Sequence, residues 1–359
     1  MCALTKHAVV FQKLHAALQH GDYRPGDRLP SEIALARKLR VSRPTVAHAL
    51  RELQQRGLIE RHVGAGTFVR APEVATAGFL GLMADGLGAT EIMDPLAAEI
   101  SAAAQAAGWS VLRGPAVADR PADEIAREWR QRGVAGVFFA PIEHHPVRAA
   151  LNRAIAERLE HHGIAVVLLD RDLGEFPERS HLDLVSIDDF FAGFELAEHL
   201  LDRGARRLLF LARPAYPATT DLRLAGARTA VERTKGASLN FAVGAPTDEA
   251  FVRRSLVRPV INGIICSNDS TAAELMQTLH AQGRALPGEI MVTGFDDLRF
   301  AKLLTPSLTT MRQPCDRLGH VAMDTMASRL RDRHAPARRV LVRAELVPRK
   351  STARPVAKD

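Results

Sequence analysis

The chain is poor in cysteine, and the few cysteines it has are far apart. Cys2, Cys266 and Cys315 are the only three among 359 residues, and no two of them are close in sequence. This spacing excludes a disulfide framework and the paired ligands of a structural zinc site, and it is typical of the reducing cytoplasm. We therefore expect a cytoplasmic protein without a cofactor or a bound metal ion.

Long apolar runs and common catalytic motifs are also missing. No run of about 18 apolar residues predicts a transmembrane helix, and Lys6, His7 and Lys13 interrupt any secretory signal pattern. The sequence contains no Gly-x-Gly-x-x-Gly, phosphate-loop, His-Glu-x-x-His or Gly-x-Ser-x-Gly motif. Residues in the pairs His144-His145 and His161-His162 point to different sides of a helix and rarely share a metal ion. We therefore expect neither an enzyme nor a membrane protein.

The excess positive charge is concentrated at the N-terminus. Residues 1–71 contain 12 Lys and Arg against 5 Asp and Glu, a net charge of +7. The whole chain also has a net charge of +7, so the remaining residues are balanced at 36 of each sign. A short basic segment on an otherwise neutral chain is the electrostatic pattern of a phosphate-binding module.

Residues 29–69 show the pattern helix, short turn, helix and β-hairpin. Ser31 and Ser42 can each cap a helix, and Pro44 falls in a first turn, where its missing N–H is tolerated. Two short strands follow around Gly64-Ala65-Gly66. This is the layout of a winged helix-turn-helix, whose second helix enters the DNA major groove with its N-terminal end. In this chain that end presents Arg43, Thr45 and His48.

The segment resembles the GntR family of bacterial regulators, from Gly21 through the Leu29-Pro30-Ser31-Glu32 string to the Gly64–Val69 hairpin. The resemblance implies DNA contacts at the start of the second helix and at the tip of the wing. Family members commonly carry arginine at the positions of Ile33 and Ala47, so their operator sequence is not transferred. Arg37, Lys38, Arg40 and His48 are the alternatives for those contacts. The full set predicted to contact DNA is Ser31, Arg43, Pro44, Thr45, His48, Gly64, Gly66 and Thr67.

From Ala77 onward, apolar runs of strand length alternate with amphipathic helical stretches. This alternation predicts a parallel sheet with helices on both faces. The strings that follow several of the strands resemble the sensor domain of the LacI/GalR family, which has the fold of periplasmic sugar-binding proteins. Those strings are Val166–Arg171, Val185–Asp189, Leu222–Gly226, Cys266–Ala272, Gly294–Asp297 and Pro306–Thr310.

The predicted fold class is therefore α/β, with a winged helix before a two-subdomain sensor. We assign residues 1–70 to the DNA-binding domain, 71–76 to a linker, 77–350 to the sensor and 351–359 to a tail. The resemblance places the first sensor subdomain at about 77–177 and 311–332 and the second at about 178–308 and 338–350.

The same resemblance implies a ligand cleft between the subdomains. Arg223 offers a planar fork of donors and Asp269 an acceptor for paired hydroxyls. Asp170 and Arg171 follow a strand at its carboxyl end, where ligands bind in open α/β sheets. Few aromatic residues are present to stack on a sugar, and Tyr216, Phe190 or Phe191 are the candidates. The predicted effector-binding set is Asp85, Glu91, Asp170, Arg171, Tyr216, Arg223, Asn268 and Asp269.

The combination resembles AraR-like carbohydrate-responsive repressors. It implies a homodimer on a palindromic double-stranded operator, released by a small effector that is by default a sugar. Two alternatives stay open: a purine or another small polar metabolite as the effector, and a non-inducible regulator whose sensor only dimerises.

Overall fold

A computed structural model describes most of the chain, which divides into two compact units. The units are residues 1–75 and 76–359. The described residues are 10–14, 17, 23, 26–55, 59–62, 66–69, 78–84, 92–114, 120–143, 147–174, 178–257 and 260–353.

In the described part of the first unit, residues 10–14 are helical. Two further helices and a β-hairpin follow them. They are α1 (Glu32–Leu39), α2 (Arg43–Gln55), β1 (Ile59–His62) and β2 (Gly66–Val69). The hairpin strands are antiparallel. Residues 26–29 also pair with β2, where the Leu29 N–H donates to the Thr67 carbonyl oxygen at 2.8 Å. This arrangement confirms the predicted winged helix-turn-helix.

A single apolar core holds the described helices and the hairpin of this unit together. Each helix turns its apolar stripe inward, and each fully buried Leu or Val stabilises the fold by about 1.5–3 kcal/mol. The buried residues of this core are Val10, Phe11, Leu14, Leu29, Leu35, Val46, Ala49, Leu50, Leu53, Ile59 and Val69.

The second unit alternates strands with helices. It begins with β3 (Gly78–Ala84), α3 (Met93–Ala106), β4 (Trp109–Arg113), α4 (Ala122–Gln131), β5 (Val134–Ala140), α5 (Arg148–His161), β6 (Ala165–Leu169) and β7 (Asp183–Ile187). It continues with α6 (Asp189–Asp202), β8 (Arg207–Ala212), α7 (Ala218–Glu232), β9 (Ser238–Val243), α8 (Glu249–Val257), β10 (Gly263–Cys266), α9 (Asp269–Ala281) and β11 (Met291–Thr293). It ends with β12 (Thr310–Arg312), α10 (Cys315–Arg331), β13 (Arg339–Val342) and β14 (Glu345–Val347); short 3-10 helices span Arg299–Lys302 and Lys350–Thr352.

These strands build two parallel sheets, one for each subdomain. The first sheet has six strands in the order β13-β7-β6-β5-β3-β4, and the second has four in the order β11-β10-β8-β9. All neighbouring strands in both sheets run parallel. Every residue of β6 is buried, as expected for a strand with helices on both faces of its sheet. The predicted α/β sensor with two subdomains is confirmed.

The chain crosses between the subdomains at three places. It crosses from β7 to α6, through β12, and from β13 to β14. β12 pairs antiparallel with β14, and Thr293 and Asp296 form isolated bridges with Thr309 and Arg312. Three crossings of short extended chain are the kind of connection that lets two subdomains move relative to each other.

The strand pairing changes part of the predicted subdomain assignment. The boundary at about 177 and the segment 338–350 place both β7 and β13 in the second subdomain. In the structure β7 pairs with β6 and β13 pairs with β7, so both strands belong to the first sheet. The apolar pattern of a strand indicates that the strand is buried but does not identify the strands beside it. The sequence therefore did not show that β7 and β13 belong to the first sheet. Helix α10 returns to the first subdomain as predicted, and Gly319 packs against the backbone of Glu99 in α3.

None of the helices in the described part of the chain has the length and apolar character needed to span a membrane. Among the same residues, no group of three His, Cys, Asp or Glu side chains is placed to hold a metal ion.

Candidate DNA-binding surface and effector cleft

The helices α1 and α2 begin at serine caps. The Ser31 hydroxyl accepts from the Ala34 N–H at 3.2 Å, and the Ser42 hydroxyl accepts from the Thr45 N–H at 3.4 Å. The Thr45 hydroxyl lies 2.7 Å from that of Ser42. The caps satisfy amides that have no partner within the helix. They also occupy part of the hydrogen-bonding capacity of Ser31 and Thr45, two residues predicted to contact DNA.

Glu32 joins three elements of this unit through its carboxylate. Arg43 Nε, at the start of α2, donates to Glu32 at 3.1 Å, and Arg61 of β1 donates to its other carboxylate oxygen. Burial alone would raise the pKa of Glu32, but the two guanidinium groups hold that pKa below its ordinary value. The Arg43 side chain is still 67% exposed, so it is oriented by Glu32 while its outer face is open.

The remaining predicted contacts lie on the exposed start of α2 and on the wing. Pro44 and His48 are exposed on α2. Gly66 has φ of 123°, in the region that favours glycine, and a Cβ there would lie 2.6 Å from Arg28 Nε. Thr67 is half-buried in β2, and Gly64 lies outside the described residues. Arg28, which was not predicted, therefore lies against the wing.

The second unit contains a cleft of about 580 Å³ at the carboxyl ends of strands from both sheets. This is where ligands bind in open parallel sheets. Its polar lining comes from α7, from α9 and from the segments that follow β5, β6, β8, β10, β11 and β12. The polar lining residues are Glu143, Asp170, Arg171, Arg213, Thr219, Thr220, Arg223, Ser267, Asn268, Ser270, Glu274, Asp296 and Gln313.

Arg223 is the most completely enclosed guanidinium of the lining. Its Nε donates to Asp189 Oδ1 at 2.7 Å, and its Nη1 donates to the Ser267 carbonyl oxygen at 2.9 Å. Its central carbon lies 3.5 Å from the centre of the Phe295 ring, a cation–π contact. Burial raises the pKa of Asp189 to about 7, although the guanidinium of Arg223 opposes the increase. Burial would lower the pKa of Arg223, but Asp189 raises it, so the arginine stays charged.

Arg171 is also paired within the protein. Its Nε and Nη2 donate to Asp170 Oδ2 at 2.9 and 2.7 Å, and its Nη1 donates to Glu143 Oε2 at 2.6 Å. Asp170 has φ of 66°, which an aspartate tolerates better than most residues. The structure therefore brings Asp170 and Arg171 to the cleft together, as predicted, and adds Glu143, which was not.

Asp296 is a cleft carboxylate that was not in the predicted set. It follows β11, has φ of 110°, and its Oδ1 accepts from Gln313 Nε2 at 2.7 Å. Burial raises its pKa to about 6 against the opposing effect of Arg223. The signal for it was the Gly294-Phe295-Asp296-Asp297 string after an apolar strand, one of the strings that carry the resemblance to the LacI/GalR sensor.

Asp269 does not line the cleft, which corrects its predicted role in effector binding. Its side chain is completely buried, and its carboxylate accepts from the Thr310 hydroxyl at 2.6 Å and from the Leu298 N–H at 2.8 Å. Burial, followed by the charge of Asp296, raises its pKa to about 8. Asp269 is the first residue of α9, and its side chain points into the protein. Its hydrogen bonds link β12 to the loop that carries Asp296.

The other predicted effector residues divide into three groups. Asn268 lines the cleft and caps α9 by accepting from the Thr271 N–H at 2.8 Å. Tyr216 is absent from the described lining and packs edge-on against Phe241, with ring centres 5.8 Å apart. Asp85 and Glu91 lie outside the described residues. Among the described lining residues none is aromatic, so Phe190 and Phe191 are not stacking partners there either.

The charged side chains of the cleft disfavour an anionic ligand. Its described lining has four carboxylates, Glu143, Asp170, Glu274 and Asp296, and three arginines. Each arginine is already paired with an acid, and Arg213 Nη2 lies 2.8 Å from Glu274. Three of the four carboxylates are bound by these arginines, and the lining has one more carboxylate than it has arginines, which disfavours a phosphate. Its hydroxyl and amide side chains can donate to and accept from the hydroxyls of a neutral polyol.

Two known protein families match the chain, one in each of its two compact units. Residues 6–69 match the bacterial regulatory proteins of the gntR family. Residues 197–352 match the periplasmic binding protein-like domain. The chain therefore carries a gntR-type helix-turn-helix domain followed by a periplasmic-binding-protein-like domain.

Relatives of the chain are named as repressors. The arabinose metabolism transcriptional repressor of Geobacillus stearothermophilus is 26% identical over 97% of this chain and 98% of its own length. The ribose operon repressor of Halalkalibacterium halodurans is 31% identical over 53% of this chain and 56% of its own length. Among solved structures, a LacI family transcriptional regulator from Enterococcus faecium with bound ribose aligns with a TM-score of 0.62 at 20% identity, covering 77% of this chain and 99% of that one. This last similarity shows the fold.

Proposed function

Because the chain joins a gntR-family DNA-binding domain to a periplasmic-binding-protein-like domain, we propose that it is a transcriptional repressor released from its operator by a small neutral carbohydrate. The observation that carries this proposal is the cleft at the ends of two sheets, whose arginines are each paired with an acid and whose lining has more carboxylates than arginines. The relatives named for arabinose and ribose favour a pentose.

On the DNA side, we assign the contacts to the exposed start of α2 and to the wing. Arg43, oriented by Glu32, would reach base edges or phosphates, and Pro44 and His48 lie on the same exposed end of α2. Two copies related by a two-fold axis would place two such helices in successive major grooves of a palindrome. The dimer and the palindromic operator are part of the proposal.

On the effector side, closure of the two subdomains around a polyol would be favoured by hydrogen bonds to Asp296, Asp170 and Glu143. Closure changes the crossing segments, and the DNA affinity changes by the free energy that couples the two sites. Reciprocity requires operator DNA to weaken effector binding by the same factor. No catalytic step is part of this proposal.

The test combines a ligand screen with DNA release. Purified protein is heated with pentoses, hexoses, sugar phosphates and nucleosides, and each compound that raises the melting temperature is titrated into a complex with the protein's own promoter DNA while fluorescence anisotropy is followed. We expect a neutral sugar to stabilise the protein and to release the DNA. Stabilisation by a nucleoside would replace the carbohydrate with a purine-type effector, and tight DNA binding without any effector would support the non-inducible alternative.

A matched pair of variants connects the response to the cleft. Asp296→Asn removes a cleft carboxylate, and Asp316→Asn makes the same change at an exposed position of α10. We expect the first variant to weaken effector binding about tenfold, the value for a lost hydrogen bond to a charged group, and the second to leave it unchanged. Equal responses of the two variants would move the effector out of this cleft.

A further inference from the structure

The first unit carries an exposed isoleucine beside several arginines. Ile33, the second residue of α1, is 52% exposed. It lines a surface depression of about 660 Å³ together with Ala36 and Val41, which add apolar surface. A single exposed apolar side chain is common and needs no explanation. The position of Ile33 needs an explanation, because charged side chains surround it.

Three arginines share that depression with Ile33. Arg37, Arg40 and Arg43 all line it, beside Ser42 and Thr45 at the start of α2. Arg40 ends α1 with φ of 54°, so the turn between the helices is closed by its backbone. Arg43 is held by Glu32, the residue immediately before Ile33. The apolar side chain therefore lies among positive groups, next to the end of the helix that faces DNA in the proposed function.

This combination of charge and apolar surface restricts what can cover the depression. The arginines complement a polyanion, and such a surface is unfavourable for an apolar protein segment because covering it would bury three guanidinium groups. In the major groove of DNA the one apolar group on a base edge is the C5-methyl of thymine. An isoleucine among phosphate-binding arginines matches a thymine methyl placed among phosphates.

We propose that Ile33 is a specificity-determining residue that reads a thymine methyl group in each operator half-site. The inference rests on the proposed function, since it assumes that α2 meets the major groove. Arg43 then supplies the polar part of the recognition and Ile33 the apolar part. Glu32 pairs with Arg43 and so ties its guanidinium to the start of α1, the helix that carries Ile33.

The test removes the methyl group from the DNA and the side chain from the protein. Operator DNA is selected from a random pool by the wild-type chain, and each thymine of one half-site is replaced in turn by deoxyuridine, which differs only by that methyl. We expect one position at which the replacement weakens wild-type binding about fourfold, the value of one buried methyl-sized group. Ile33→Ala is expected to bind the thymine and deoxyuridine operators equally, and Ile33→Val to keep most of the difference.

The controls separate this contact from general effects. Leu222→Ala shortens a side chain of similar exposure, 44%, in the second unit, and it should keep the full thymine preference. The melting temperature of Ile33→Ala should match that of the wild type, because the side chain is exposed. The inference is overturned if every deoxyuridine operator binds the wild type within twofold, or if Ile33→Ala keeps the wild-type preference. A wild-type chain that selects no DNA sequence overturns the proposed function and this inference together.

Discussion

The guanidinium of Arg223 is held 2.7 Å from the carboxylate of Asp189, and both side chains are buried. Asp189 begins α6, directly after the first crossing between the subdomains, whereas Arg223 lies in α7 of the second subdomain. One ion pair therefore connects the crossing chain to the floor of the cleft. Its members are 34 residues apart in sequence, and no local pattern predicts their contact.

Breaking this pair should be costly to stability. Arg223→Met leaves Asp189 buried without its partner, and the free energy of unfolding should fall by about 3–5 kcal/mol, as for other buried pairs that lose one member. Adding Asp189→Asn removes the stranded charge and should recover most of that loss. Urea denaturation of the two single variants and the double variant measures the coupling; additive losses would show that the two residues act independently.

Neutralising Glu32 should reduce the discrimination between DNA sequences. Glu32→Gln weakens the hold on Arg43 and Arg61 and removes a negative charge from the surface proposed to meet DNA. We expect tighter binding to random DNA and about a tenfold lower ratio of operator to random affinity, within the range for a lost base contact. Anisotropy titrations at several salt concentrations measure both affinities.

The control for that experiment is Glu60→Gln, which makes the same change of charge on the exposed side of β1. It should tighten binding to operator and random DNA alike. A Glu32→Gln variant that behaves in the same way would show that Glu32 contributes charge alone and does not orient Arg43.

Gly294 should not tolerate a side chain. A Cβ at this position would lie 2.1 Å from Asp269 Oδ1, which is itself fixed by Thr310 and Leu298. Gly294→Ala should destabilise the protein by about 1–3 kcal/mol, as overpacking of a filled core does. Gly288→Ala is the matched control, because its Cβ would meet only an ordinary contact at 3.5 Å. Thermal unfolding that shows equal losses would place the Asp269 carboxylate elsewhere.

Effector binding should release protons near pH 6. In the free protein burial keeps the pKa of Asp296 at about 6, so the carboxyl group is partly protonated there. A ligand hydroxyl that donates to the carboxylate favours its ionised form and lowers its pKa in the complex. Proton release on binding then means that affinity rises as the pH increases from about 5 to 7 and becomes constant above that range.

Isothermal titration calorimetry in buffers of different ionisation enthalpy counts the released protons. At pH 6 we expect a fraction of one proton per sugar for the wild type and a smaller fraction for Asp296→Asn. Proton uptake on binding, or an affinity that falls with rising pH, would show that the ligand meets the protonated form of the cleft.

Local structure was largely predictable because its causes are local. The caps at Ser31 and Ser42 and the apolar stripes of the helices depend on residues a few positions apart, and the observed helices begin where these signals lie. The strand β9 and the helix α8 were not predicted. β9 is an edge strand whose residues are half-buried or exposed, so its apolar signal is weak.

The cleft was only partly predictable. Asp170, Arg171, Arg223 and Asn268 line it as predicted, because residues after parallel strands and at helix starts gather at one edge of a sheet. Whether these side chains bind an effector stays a prediction. Asp269 and Asp296 show the limit of the sequence prediction, since both follow apolar strands. Asp269 is buried and hydrogen-bonded beside β12, whereas Asp296 lines the cleft.

The sequence by itself determined the order of elements, the basic winged domain ahead of a neutral α/β sensor, and the candidate polar strings, because periodicity, capping and net charge are properties of neighbouring residues. Only the tertiary structure decided that β7 and β13 join the first sheet, that Asp189 pairs with Arg223, and that the arginines of the cleft are already neutralised. Those outcomes depend on backbone hydrogen bonds and ion pairs between residues far apart in the chain. Their partners are chosen by packing, and the sequence pattern around either partner does not record that choice.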